Sequence, residues 1–215
     1  MQFQDRDADI LKWINGFGFA TADQVQSYMG VYKATCYARL KKLVEGGYLS
    51  RERILHGQAR IHKVTKKGTI ASGDHIGGVQ EIRLGTFRHD LRLVDLALEL
   101  SGQTGGTFVP QRQIRHDEGL SGVGQFGHVS DGHLYIPGEE KPIAIELELS
   151  VKARSRLNSI INRYGADLSV KEIWYYTDQQ SVRSAIEKAS HGYSFIKVFD
   201  LDELKAKGGE GRAHG

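Results

Sequence analysis

Apolar residues recur at helical spacing close to the start of the chain. Ile10, Leu11, Trp13 and Ile14 make one stripe, which predicts a helix that Gly16 and Gly18 end. Thr21 is a good N-cap, followed by Asp23 and Gln24 in a first turn, with Val25 and Met29 inward on a short second helix that Gly30 closes. A third helix over residues 33–44 turns Cys36, Leu40, Leu43 and Val44 inward. It leaves Lys33, Thr35, Tyr37, Arg39, Lys41 and Lys42 for solvent. Two β-prone runs, 48–55 and 59–64, joined by His56, Gly57 and Gln58, predict a hairpin carrying Arg51, Arg53, Arg60, His62 and Lys63. Lys66, Lys67 and a short return helix at 69–72 follow, and the polar, glycine-rich stretch 73–78 reads as a domain boundary.

Beyond it the pattern alternates. A helix is predicted over 87–101, β-prone runs over 107–115, 128–136 and 143–149, and a helix over 151–164. A strand over 172–177, a helix over 180–189 and a strand over 194–199 complete an α/β sandwich. The expected fold class is α+β: an N-terminal winged helix-turn-helix over 1–75, an α/β domain over 76–204, and a disordered tail over 205–215. The glycine-rich loop at 119–127 lacks the spacing and following helix of a nucleotide cradle.

No stretch approaches eighteen consecutive apolar residues, and the start is acidic at Asp5, Asp7 and Asp9, so secretion and membrane spanning are not expected. The one cysteine, Cys36, can make neither an internal disulfide nor a cysteine-based zinc site, which fits a reducing cytoplasm and a packed helix residue. Charge is uneven. Residues 1–75 hold 12 Lys and Arg against 7 Asp and Glu, and residues 76–215 hold 17 against 19, so a polyanion is expected to dock on the first third.

A short helix, a longer basic helix and a basic hairpin are the parts that place a helix in the major groove and a wing on the backbone of double-stranded DNA. Thr35, Tyr37 and Arg39 would make base or phosphate contacts. Lys41, Lys42, Arg51, Arg53 and Arg60 would neutralise phosphate, which gives affinity without reading sequence, and Lys33 is a further DNA-binding candidate. The plainer reading is a three-helix core with solvated charges.

A second constellation is Asp131–Gly132, then Glu146–Leu147–Glu148, then Lys152, one turn into the expected helix. On a strand Glu146 and Glu148 share one face, while Ile145, Leu147 and Leu149 share the other. With Asp131 from a neighbouring strand, three hard oxygen ligands suit Mg²⁺ or Mn²⁺, which could polarise a phosphodiester. A half-exposed strand with its polar side outward fits E-L-E-L equally well.

A winged helix followed by a helix, Asp131–Gly132, Glu146–Leu147–Glu148 and Lys152 resembles the replication-relaxation family of plasmid and mobile-element proteins, over residues 5–200. The resemblance implies a winged helix coupled to a PD-(D/E)XK restriction-endonuclease-like domain acting in plasmid mobilisation or replication. It implies metal-ligand roles for Asp131 and Glu146. Glu148 stands where the catalytic lysine usually stands, as in E-x-E nucleases, and Lys152 could return an ammonium to the site from the helix. Two roles follow: a Mg²⁺-dependent DNA nickase, or a non-enzymatic accessory factor or regulator with a degenerate nuclease-like domain. The expected partners are double-stranded DNA, a relaxase or replication initiator, and a second copy of the chain.

Three further residues have two readings each. His89 is either a core or cap histidine, or it joins Asp90 or Asp95 at the metal site. His128 and His133 flank Asp131 but lack the H-x-H cluster of rolling-circle relaxases. Tyr164 is either a core anchor beside Leu157, Ile160 and Ile161, or a nucleophile near a scissile phosphate.

Overall fold

The computed structural model describes residues 2–120 and 128–204. The fold is mixed α+β and forms two compact units, Met1–Leu98 with Arg115–Gly119, and Glu99–Ile114 with Leu120–Gly215. Among the described residues no helix is long and apolar enough to cross a membrane.

The first unit runs α1 (Asp5–Phe17), β1 (Ala20–Thr21), α2 (Ala22–Met29), α3 (Lys33–Glu45), β2 (Leu49–Glu52), β3 (Ile61–Val64) and α4 (Lys66–Ser72). Thr21 caps α2 in a reciprocal box: its hydroxyl accepts from the Gln24 amide (3.2 Å), and the Gln24 side chain accepts from the Thr21 amide (2.9 Å). Gly30 ends α2 in the left-handed region, φ +62°. The apolar stripes of α1, α2 and α3 meet in one core containing Ile10, Leu11, Ile14, Val25, Cys36, Leu40 and Leu43, closed by Leu49 and Val64. Burial pushes the Cys36 thiol up to about 11, so Cys36 packs as a small apolar residue. β1 and β2 flank β3 antiparallel, Ala20 facing His62 and Arg51 facing His62 from the other side. The two-residue β1 is absent from the sequence reading, being too short to show alternation.

The stretch 73–78 is packed on α1. The buried Asn15 amide donates to the Asp74 carboxylate (2.9 Å) and the Ile76 carbonyl (2.7 Å). The two units divide later, after Leu98, inside the long helix α5 (Phe87–Thr104). Glycine and polar composition mark a chain reversal here; contacts that cross it decide where a domain ends.

The second unit holds a five-stranded sheet in the order β4 (Thr107–Pro110), β5 (Gly132–Tyr135), β6 (Ile143–Leu147), β7 (Glu172–Thr177) and β8 (Ile196–Asp200). β4, β5 and β6 pair antiparallel, whereas β6, β7 and β8 pair parallel. The run expected over 107–115 stops at Pro110, which cannot donate to the ladder, and residues from Gln111 onward form α6 (Gln111–Asp117). α7 (Arg154–Gly165) and α8 (Gln180–Ala189) cover one sheet face, where Leu157, Ile160, Ile161, Tyr164, Val182 and Ile186 pack on Ala144, Ile173 and Tyr175. α7 starts three residues later than expected. The Glu148 amide donates to the Tyr176 carbonyl (2.8 Å) and Leu149 accepts from Gln179, which holds the chain extended past the end of β6. Most of the glycine-rich loop, residues 121–127, and the tail, 205–215, lie outside the described residues.

Candidate functional site

In the first unit, α3 and the β2–β3 hairpin border a cleft of about 440 Å³, with Asp23, Tyr37, Arg51, Arg53, Arg60 and His62 among its lining. Arg51, Arg53 and Arg60 are exposed, and among the described residues none has an ion-pair partner. Lys33 lies 3.4 Å from Asp23 and 5.4 Å from the Tyr37 ring centre, and the Tyr37 hydroxyl donates to Asp23 (3.0 Å). Lys41 pairs loosely with Glu45 (3.7 Å); Thr35 and Lys42 are exposed.

Arg39, expected at the surface, and Lys63 and His62, expected on the hairpin, are withdrawn from solvent. Arg39 forks onto both oxygens of Asp7, with 12% of its side chain exposed and none of Asp7's. A helix stripe identifies the side facing a core; it cannot show that a neighbouring helix brings a carboxylate to meet a guanidinium. Lys63 is buried and held by Glu52 (2.9 Å) and the Gln80 carbonyl (3.2 Å). His62 is buried because β3 is the central strand, flanked on both edges. Burial, with the Arg51 charge adding, pushes its imidazole down to about 4.

In the second unit β6 is the middle strand, and every residue of it is buried. Glu146 is 3% exposed and Glu148 6%, so the half-exposed strand with its polar side outward does not occur. Each carboxylate has its own partner. The Tyr164 hydroxyl of α7 donates to Glu146 Oε1, and His128 Nε2 lies 2.6 Å from that oxygen and 3.1 Å from the Tyr164 hydroxyl. Burial raises the Glu146 carboxyl well above the usual range, and Asp131 adds to this; hydrogen bonds from His128 and Tyr164 oppose it. Glu148 is ion-paired with Lys152, four residues on. Because α7 starts at Arg154, Lys152 stands in the segment before the helix and not in a helical turn, and its ammonium neutralises Glu148.

Asp131 has a backbone task. β5 begins at Gly132, opposite Ile145, and Asp131 Oδ2 accepts from the Leu147 amide (2.8 Å), continuing the pairing by a side chain. Gly132 lies beneath Phe108: a Cβ there would be 2.1 Å from the ring, so the ring would have to shift. Tyr175 faces Glu146 across the β6–β7 ladder. Its hydroxyl is buried and, among the described residues, has no hydrogen-bond partner. Burial and the charges of Glu146, Glu148 and Asp131 raise its pKa.

The hard-oxygen donor set was expected to be Asp131, Glu146 and Glu148. Among the described residues, no three His, Cys, Asp or Glu side chains are gathered as a metal ion needs. The donors are committed to Leu147, His128 with Tyr164, and Lys152 in turn, so they do not fit a Mg²⁺ or Mn²⁺ site as placed. His89 lies 3.2 Å from Asp90, and both belong to the first unit with Asp95, whereas Asp131 and Glu146 belong to the second. His128 and Tyr175 had no signal pointing to Glu146, since they are separated from it in sequence and share no periodic pattern with it. Comparison with protein-family models, with curated proteins and with solved structures finds no match for this chain.

Proposed function

We propose that the chain binds double-stranded DNA through its first unit, as a winged helix in which α3 enters the major groove and the β2–β3 hairpin rests on the backbone. The observation that carries this reading is the trio Arg51, Arg53 and Arg60 beside α3, exposed and, among the described residues, without ion-pair partners. Guanidinium groups left unneutralised around a groove bind phosphate oxygens in bidentate fashion and release counterions. Lys33, Thr35, Tyr37, Lys41 and Lys42 lie on α3 where base edges or flanking phosphates would be met; Arg39 is left out of the contact set. The experiment is fluorescence anisotropy of the full chain on a labelled duplex across a salt series. Arg51→Gln/Arg53→Gln/Arg60→Gln is expected to weaken binding and to lower the slope of log affinity against log salt by about 3. An unchanged slope overturns the reading.

The role we assign is that of a non-enzymatic accessory factor or regulator in plasmid mobilisation or replication, its second unit being a degenerate nuclease-like domain. The process and the nuclease likeness rest on the resemblance to the replication-relaxation family. The absence of catalysis rests on the partners of the carboxylates: Lys152 neutralises Glu148, and the Asp131 carboxylate is bound to the Leu147 amide. A supercoiled-plasmid assay in Mg²⁺ and in Mn²⁺ tests it. No nicking is expected, and nicking that Glu146→Gln abolishes would replace this role with the metal-dependent nickase.

A further inference from the structure

α7 differs in charge from an ordinary solvated helix. From Leu149 to Ala166 the chain has no Asp or Glu, while Arg154, Arg156 and Arg163 are exposed. Among the described residues none of these three guanidinium groups has a hydrogen-bond or ion-pair partner. α8, on the same sheet face, mixes Arg183 and Lys188 with Glu187 in the usual way. Only Arg163, in the last turn, suits the helix dipole. Arg154 and Arg156 lie in its first turn, where the positive end of the helix dipole disfavours cations.

The outward stripe between the arginines is Ser155, Asn158, Ser159 and Asn162, all exposed. It offers hydrogen-bond donors with Arg154 along one edge and Arg156 and Arg163 along the other, by the helical angle of about 100° per residue. A helix that lies on an anionic membrane sets apolar side chains beside its cations, but the apolar stripe of α7 is spent inside the core. From Arg154 to Arg163 the helix rises about 14 Å, the length of about four phosphate steps along one DNA strand.

We propose that the exposed face of α7 is a second DNA surface, which binds the phosphate backbone of a duplex without reading its sequence. It goes beyond the first-unit reading and uses none of its residues. Arg154, Arg156 and Arg163 hold phosphates, and the Ser and Asn side chains hydrogen-bond to the oxygens between them.

The test uses the full chain on a duplex of arbitrary sequence across a salt series. Arg154→Gln/Arg156→Gln/Arg163→Gln is expected to lower affinity at least tenfold and the salt slope by about 2 to 3. The corresponding triple Lys variant should keep the slope, and Lys188→Gln on α8 should change nothing. The cleft variant Arg51→Gln/Arg53→Gln/Arg60→Gln should retain a salt-dependent remnant that disappears when the α7 substitutions are added. An α7 variant with the affinity and slope of the parent overturns this proposal and leaves the first-unit reading standing. Binding lost only to vesicles of phosphatidylcholine with phosphatidylserine, with duplex binding intact, overturns it in favour of a membrane. Duplex binding that survives the cleft substitutions undiminished and falls with those in α7 supports this proposal and overturns the first-unit reading.

Discussion

Arg39 and Asp7, from α3 and α1, form a forked ion pair in which the carboxylate is wholly buried and the guanidinium nearly so. The same carboxylate accepts the Gln4 amide (2.8 Å), so it also closes the start of α1. Removing the arginine alone would strand a buried negative charge, which costs about 3 to 5 kcal/mol. Arg39→Ala is therefore expected to lower the melting temperature of the first unit by more than about 10 °C. Arg39→Met combined with Asp7→Leu should recover most of the loss. Scanning calorimetry of the three proteins checks this, and a variant as stable as the parent would return Arg39 to the DNA-contact set.

His62 predicts a pH dependence for the first unit. Its folded value of about 4 lies below the ordinary 6.5, so between these values the unfolded chain binds a proton that the folded chain refuses. Stability is then full above pH 6.5 and falls as the pH drops toward 4, by up to about 3 kcal/mol. His62→Gln should flatten this limb in urea titrations at stepped pH.

Glu146 acts with the opposite sign in the second unit. Its folded carboxyl holds a proton more tightly than the unfolded one, so its contribution is complete below about pH 4.5 and is lost as the pH rises through the raised value. Glu146→Gln mimics the protonated form and is expected to stabilise the second unit at pH 7 and remove that part of the pH slope. Denaturation followed by fluorescence of Trp174, which lies in β7, provides the readout; a less stable Gln variant at pH 7 would show that the charged carboxylate is the favoured form.

Tyr164→Phe separates the two readings of that tyrosine. Its hydroxyl is buried, and burial beside Glu146 raises its pKa, which suits a donor to the carboxylate and not an attacking phenolate. The variant should lose about 1 to 3 kcal/mol, the range for a buried acceptor deprived of a donor. No covalent protein–DNA adduct should form with the parent chain on denaturing gels. An adduct that the Phe variant fails to form would make Tyr164 the nucleophile.

Gly132→Ala should destabilise the second unit by about 1 to 3 kcal/mol, because the added methyl meets the Phe108 ring at 2.1 Å. Phe108→Leu in the same chain should relieve part of the loss, measurable by urea denaturation of the single and double variants.

Local pattern alone determined much of this molecule. The 3.6-residue stripes of α1, α3, α7 and α8, the cap at Thr21, the stop at Gly30 and the apolar run of β7 are each written in a few neighbouring residues, and the α+β character follows from them. The parity that sets Glu146 on the other side of β6 from Ile145 and Leu147 was legible for the same reason. What surrounds that side was not. Whether a strand is central or at an edge depends on pairing partners distant in sequence, and β6 buries Glu146 because β5 and β7 flank it while α7 lies above it. The tertiary structure alone brought His128 and Tyr164 to Glu146, tied Asp131 to the Leu147 amide and withdrew Arg39 onto Asp7. A charged side chain has no periodicity of its own: its environment is set by whichever opposite charge or hydrogen-bond donor the folded chain carries to it.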